Sequence, residues 1–360
     1  MKHHIFILVC IITFLTSSTL AQDTTCGTPT PTGVGGGLAK GAGYVNLNQL
    51  DTVCIPLALH ILCYDDGSQA VDQSQFSTMV AMLNSAYARA KMKFFISSID
   101  TIKSTSWASN GYGDSPSQDG LSSINNVSLA INIYFVPNAG FNGVSTFTPD
   151  IEEELSIPRS FQSIIIRNPV AATSTVPHEV GHYFNLFHTF ETSFGTTCPD
   201  NSNGTTTGDL VYDTPPESPN PSKGAYNFDI NCQYIGPTTG YCQGVLQDYN
   251  IGQLNSIIAN NFMTYANFPC RTTFTAEQIL RIRTTLENKR ASLKLRWTQF
   301  TNVLNSGNAG GTFLLDGSTT IASGRFAGFS DSLLHQARTQ NERFSNNKHQ
   351  NWNGAAPQFR

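Results

Sequence analysis

Charge is scarce in this chain: 13% of its 360 residues are Asp, Glu, Lys or Arg, and the formal net charge is −4. So mild an imbalance leaves no electrostatic footprint for nucleic acid or another charged polymer, and no such partner is expected. Long apolar runs are also missing. The most apolar run, residues 5–15, and every other are too short, since crossing a bilayer takes about 20 apolar residues, so no part of the mature chain is expected in a membrane. No internal repeat is visible, which sets repeat architectures aside.

What is present begins with an export signal. Lys2 precedes the apolar run, Thr16, Ser17 and Ser18 interrupt it, and Thr19-Leu20-Ala21 reads as a cleavage site. Residues 1–21 are therefore expected to be removed and the protein to be secreted. Removal takes Cys10 and leaves Cys26, Cys54, Cys63, Cys198, Cys232, Cys242 and Cys270. Oxidising surroundings favour pairing, and an odd number leaves at least one cysteine outside any internal pair. Asn126 and Asn203 open sequons, which are surface sites if the host glycosylates.

Residues 22–45 are rich in Thr, Pro and Gly and predict an extended, poorly ordered segment. From Val53 to Tyr64, the alternation of Ile55, Leu57, Leu59 and Ile61 predicts a strand, with Pro56 placing its start near an edge or outside the ladder. Asp72 with Gln75 resembles a capping box, and Phe76, Met79, Val80, Leu83, Tyr87 and Ala90 repeat at the spacing of one long helix. Further strands are expected at 94–99, 131–136 and 163–167, with a weaker one at 143–147. Strand, helix, strand, strand, strand gives an α/β half-domain built on a sheet.

A helix is expected around 176–186. Residues 189–261 then lose periodicity, and so long an irregular stretch needs disulfides or ions to hold it. A last helix begins at Thr275, capped with Gln278, and buries Ile279, Ile282, Leu286 and Leu293. Its Arg281, Arg283, Lys289, Arg290, Lys294 and Arg296 read as a solvated face in preference to a binding surface. From 299 to 360 the chain is polar, and its end looks disordered.

The chemistry concentrates in His178-Glu179-Val180-Gly181-His182, an H-E-x-x-H sequence followed by His188. Residues four apart share a helical face, so His178 and His182 can present two imidazoles to one ion. Continued helix would carry His188 about 240° round the axis from His182. It returns to the ion only if the chain turns near 185, and Asn185 is suited to the left-handed backbone of such a turn. Three of the eight histidines fall within eleven positions. Three neutral imidazoles leave one position of a tetrahedral zinc open, the arrangement of catalytic sites. With Glu179 as general base for a water acidified by the metal, hydrolysis of an amide carbonyl is expected.

These residues carry a family resemblance. HEVGHYFNLFHTF, 178–190, resembles the long metzincin signature and most of all its pappalysin branch, peptidase family M43, as Thr189 and Phe190 fit that branch. Gly208-Asp-Leu-Val-Tyr-Asp-Thr-Pro215 resembles the branch's G-D-x-V-x-D-T-P stretch. Asn261-Phe-Met-Thr-Tyr265 resembles the Met-turn, Cys270 with Phe274-Thr-Ala-Glu-Gln278 the segment after it, and Ile55-Pro-Leu-Ala-Leu-His60 the first strand. The likeness covers residues 50–295, and departs from the pattern at Asn185, where the signature usually has Gly.

The resemblance implies a fold of class α/β (α+β). Its metzincin-type catalytic domain, 46–298, would have a twisted mixed sheet with helices in an N-terminal subdomain and an irregular, disulfide-bonded C-terminal one. It implies Met263 as a floor beneath the ligands and Tyr265 as a stabiliser of the tetrahedral intermediate. It implies the pairs Cys198–Cys242 and Cys232–Cys270; spacing alone permits all three pairings of four cysteines. Asp209, Asp213 and Thr214 become a candidate calcium site, against the alternative of turn chemistry. Cys26 has two readings: a thiolate that fills zinc's open position and keeps the enzyme latent, or a disulfide to Cys54 or Cys63. Cys54 and Cys63 cannot bond each other from one strand. The expected activity is metalloendopeptidase action on protein or peptide substrates laid along an edge strand, with 143–147 the candidate. The rival readings are a non-catalytic binding protein on the same fold and a different zinc hydrolase such as a deacetylase.

Overall fold

A mixed sheet carries the site. Its main strands are β1 (Val53–Cys63), β2 (Met92–Lys103), β3 (Ile131–Val136), β4 (Gly143–Ser145) and β5 (Ile164–Arg167), in the order β2-β1-β3-β5-β4, with a sixth short strand pairing β1. Neighbours along that order are parallel except β4, which runs antiparallel to β5 at the edge. The computed structural model describes residues 26, 28, 44–154, 159–192, 194–200, 207–219, 227–296, 313–314 and 320–321. The expected export signal, the sequon at Asn203 and most of the expected tail lie outside these residues.

All eleven residues of β1 are buried. Ile55, Leu57, Leu59 and Ile61 pack with Phe76, Leu83 and Val180 in the main core, while Leu62 joins Tyr112, Leu121, Tyr134 and Ile165 in a second core. Both faces of the sheet are thus covered, as parallel sheets require. Pro56 pairs with Phe95 of β2. On its other side it falls between Cys54, paired with β8 (Leu295–Arg296), and Leu57, where pairing with β3 begins. Its missing N–H is tolerated in that gap.

The helix from 75 is shorter than its periodicity suggests. α1 (Gln75–Ala86) ends at Tyr87, and Ala88–Ala90 forms a 3-10 turn closed by left-handed Lys91 (φ 54°). The apolar repeat continues through Tyr87 and Ala90 because the turn buries them too. Nor is there a capping box: Asp72 accepts from Ser74 N at 2.9 Å, and the helix cap, Ser74, makes no side-chain cap bond. α2 (Ser115–Ser122) was not expected. Its signal is local: Asp114 accepts from Ser117 N at 2.7 Å and Pro116 lies in the first turn.

α3 (Thr175–Tyr183) is buried along its whole length, and α4 (Ala276–Asn288) starts at the full Thr275–Gln278 capping box. Three of the basic residues of this last region depart from the reading as a solvated face, while Lys289 is exposed as that reading has it. Arg281, Arg283 and Arg290 are buried and donate to backbone carbonyls: Arg281 to Asn185, Arg283 to Asp51, Ala90 and Lys91, Arg290 to Tyr183 and Phe147. Guanidinium groups here satisfy carbonyls where the chain leaves regular structure.

The irregular half is tied by disulfides Cys198–Cys242 and Cys232–Cys270, with Cα separations of 4.7 and 5.7 Å. Between them lies a hairpin, β6 (Thr239–Cys242) with β7 (Val245–Asp248), over a small core of Phe228, Tyr234, Tyr249, Leu254 and Ile258. β9 (Phe313–Leu314) and β10 (Thr320–Ile321) form a further short ladder. Among the described residues no helix is long and apolar enough to cross a membrane.

Candidate metal centre and active site

α3 sets His178 and His182 one turn apart on one face. At its end Leu186 N donates to Gly181 O at 3.0 Å and Asn185 takes φ 65°, so the chain doubles back. The helix therefore stops three residues earlier than expected, at the turn that the position of His188 demands. The Nε2 atom of His182 lies 3.1 Å from those of both His178 and His188. Asn185 also does what glycine cannot. Its side chain accepts from Thr148 N at 3.0 Å and donates to Thr148 Oγ1 at 2.8 Å, fastening the turn to the segment after β4.

The tautomers follow from the hydrogen bonds. Nδ1 of His178 donates to Phe262 O at 2.7 Å, and Nδ1 of His182 to Leu186 O at 2.8 Å, which leaves their Nε2 lone pairs facing inward. All three rings are buried. Burial first, then the neighbouring imidazoles and Arg271, holds His178 well below the usual histidine range; burial, His182 and Arg271 do the same for His188. Burial brings His182 down to about 4. Neutral nitrogens with lone pairs aimed at one point repel one another unless a cation lies among them, and this set fits zinc.

Glu179 is fully buried beside them, and Gly143 of β4 touches it. A Cβ on Gly143 would come within 2.6 Å of the Glu179 Cγ and Oε1 atoms. Met263 lies beneath α3, where a Cβ on Gly181 would meet its Sδ at 2.6 Å. The ring of Tyr265, half-buried, is 5.1 Å from that of His188 and 4.6 Å from that of Phe190. Phe190 itself stacks on His188 at 4.8 Å and 9°.

Cys26 and Thr28, from upstream of the sheet, reach this site. Cys26 Sγ lies 3.5 Å from His182 Nε2, and with the three imidazoles it forms a group whose ligand atoms all fall within 4.8 Å of one another. Cys26 bridges Gly143 in the parallel sense. Two residues on, Thr28 Oγ1 donates to Glu179 Oε2 at 2.9 Å and accepts from Ser145 N at 2.9 Å. The disulfide reading of Cys26 is thereby overturned: Cys54 and Cys63 lie buried in β1, bonded to no cysteine. Thr28 was missed by sequence reasoning, since nothing marks a threonine among many in a low-complexity stretch.

The candidate calcium residues do not converge. Thr214 Oγ1 donates to Asp209 Oδ2 at 2.8 Å, while Asp213 Oδ2 accepts from Glu277 N at the start of α4, 2.8 Å away. This is the turn chemistry held as the alternative, and among the described residues the two form no three-member group of His, Cys, Asp or Glu. Burial pushes Asp209 up to about 8 against the bonds from Thr214 and Val211. Glu217, also missed, is a buried carboxyl that accepts from Thr189, Thr264 and Asn227. Its setting, Pro-Pro-Glu-Ser-Pro, carries no motif.

The peptidase family M43 model, described as pregnancy-associated plasma protein-A, matches residues 165–287. An extracellular metalloprotease of Colletotrichum graminicola is 26% identical over 295 residues, 77% of this chain and 95% of that protein. Human pappalysin-1 is 28% identical over 167 residues, 44% of this chain and 9% of its own length. Mature mirolysin of Tannerella forsythia, solved with a cleaved peptide, aligns with a TM-score of 0.45 at 18% identity, covering 68% of this chain and 97% of that one. The family match across three converging imidazoles makes this chain similar to peptidase family M43, the pappalysin branch of the metzincins, and supports a zinc metalloprotease.

Proposed function

We propose that this protein is a secreted endopeptidase whose zinc is held by His178, His182 and His188, and whose own N-terminal segment keeps it latent. The observation that carries the reading is the convergence of three neutral Nε2 atoms beside the buried carboxylate of Glu179. Zinc bound there supplies Lewis acidity toward a carbonyl and toward water. Glu179 takes the proton of the attacking water and passes it to the leaving amine. Gly143 lets that carboxylate lie against β4, the edge strand along which an extended substrate pairs. Tyr265, beside His188, donates a hydrogen bond to the developing oxyanion. Met263 packs under α3 and fixes the height of the ligands.

Latency rests on the contacts of Cys26 and Thr28. With the thiol of Cys26 against the imidazoles and the hydroxyl of Thr28 on Glu179, both metal and base are engaged by these two residues, and removal of 22–45 exposes the catalytic domain of 46–298. Secretion is supported by the export-like N-terminus and by relatives named extracellular.

The direct test is casein digestion by the processed protein, wild type beside Glu179→Ala, with and without a zinc chelator. Loss of activity in both the variant and the chelated sample is expected. An active Glu179→Ala protein would rule out Glu179 as the base, and a wild type that binds zinc yet cleaves nothing would favour the binding-protein reading. Hydrolysis confined to small amides would favour the deacetylase reading.

A further inference from the structure

The third ligand, His188, lies beyond the end of α3, in chain that no helix or strand holds. Something else must fix it. Thr189, the next residue, reaches the Met-turn by one backbone bond, Thr189 N to Met263 O at 3.2 Å. Its hydroxyl points instead to Glu217, donating to Oε2 at 2.5 Å. The same oxygen accepts from Thr264 Oγ1 at 2.9 Å. Thr264 is flanked by Met263 and Tyr265. One carboxylate oxygen thus joins the residue after the last ligand to the residue between the two Met-turn side chains.

The other oxygen is held as well. Glu217 Oε1 accepts from Asn227 Nδ2 at 3.1 Å, and Asn227 is tied to Ser218 O at 2.8 Å. Thr197 Oγ1 donates to Glu217 O at 3.2 Å. The carboxyl is 2% exposed, so water cannot replace these partners at little cost. A buried carboxylate serving three donors from three otherwise separate segments fixes their relative positions, because its oxygens accept at a fixed separation.

We propose that Glu217 is a positioning residue of the metal centre: it aligns His188 and Tyr265 by clamping Thr189 and Thr264 to one oxygen. The inference rests on the reading of His178, His182 and His188 as zinc ligands. Groups that orient ligands from behind characteristically alter metal affinity by about 10–100-fold when removed. A carboxyl that only stabilises the fold lowers the melting temperature and leaves the metal's surroundings alone.

The test uses the full-length protein and two readouts that need no substrate. One is the rate at which zinc is lost to a chelator; the other is the visible absorption of the cobalt(II)-substituted protein, which reports ligand geometry. In Glu217→Ala, zinc loss should accelerate about tenfold or more, and the cobalt bands should shift. Glu217→Gln keeps an oxygen for both threonines and should lie close to wild type in both readouts. If Glu217→Ala does not fold, Thr264→Val and Thr264→Ser divide the question, since Val removes the hydroxyl and Ser retains it. Faster zinc loss in Val and not in Ser supports the clamp. Zinc loss and cobalt spectra unchanged in the variants, whatever their melting temperatures, would overturn it. A wild type that holds no stoichiometric zinc would overturn the underlying ligand assignment, and the clamp with it.

Discussion

Asn185 shows how much one residue can determine here. Its left-handed backbone was readable from the spacing of His182 and His188, because a straight helix sends the third histidine to the wrong face. Its bonds to Thr148 were not readable, since nothing in the sequence says which distant segment will lie beside a turn. Gly143 is similar: the sequence suggests an edge strand, but only the fold brings Glu179 against it. Gly143→Ala should cut peptidase activity by about 100-fold, because the added Cβ displaces the base, which must stay within hydrogen-bond reach of its proton. Metal analysis should find its zinc content unchanged. Asp209 makes a pH prediction. Its folded-state value, raised from 3.8 to about 8, means that the folded chain keeps a proton that the unfolded chain has lost across that window. Its contribution to stability is therefore full below 3.8 and is lost as pH rises toward 8. In calcium-free buffer, the melting temperature of wild type relative to Asp209→Asn should fall steadily from about pH 5 to about pH 8. A constant difference would show that Asp209 does not titrate in that range.

Among the elements, those with local signals were legible. β1 announced itself by alternation, and α4 by a capping box that is fully formed. α1 was overextended because Tyr87 and Ala90 are buried by a 3-10 turn that continues the helical spacing. The β6–β7 hairpin was missed because its strands are four residues each and mostly exposed. The arginines of α4 illustrate a different limit. Sequence periodicity places them off the apolar stripe, yet the carbonyls that they reach come from 51, 90, 91 and 185, far away in the chain. Arg283 is 1% exposed, and its removal leaves three carbonyls without that donor. Arg283→Ala should cost about 3 kcal/mol of folding stability in denaturant titration. A solvated arginine would cost less than about 0.5 kcal/mol.

For the molecule as a whole, the sheet half and the disulfide-bonded half meet at the three imidazoles proposed to hold the metal, and Cys26 and Thr28 reach into this site. The sequence raised Cys26 as a candidate by the arithmetic of an odd cysteine, but left its partner open between two alternatives. Thr28 gives the proposed latency a second contact, on Glu179, the proposed base. Before any processing, Cys26→Ser should be more active than wild type, and Thr28→Val should add to it, because Val keeps the shape and lacks the donor to Glu179. An unprocessed Cys26→Ser protein no more active than wild type would show that the thiol does not enforce latency. The most direct measurement is X-ray absorption at the zinc edge of the full-length protein. The account predicts three imidazole nitrogens and one sulfur, at about 2.0 and 2.3 Å, with the sulfur absent in Cys26→Ser. Fewer than three imidazoles, or a sulfur signal that survives that substitution, would contradict it.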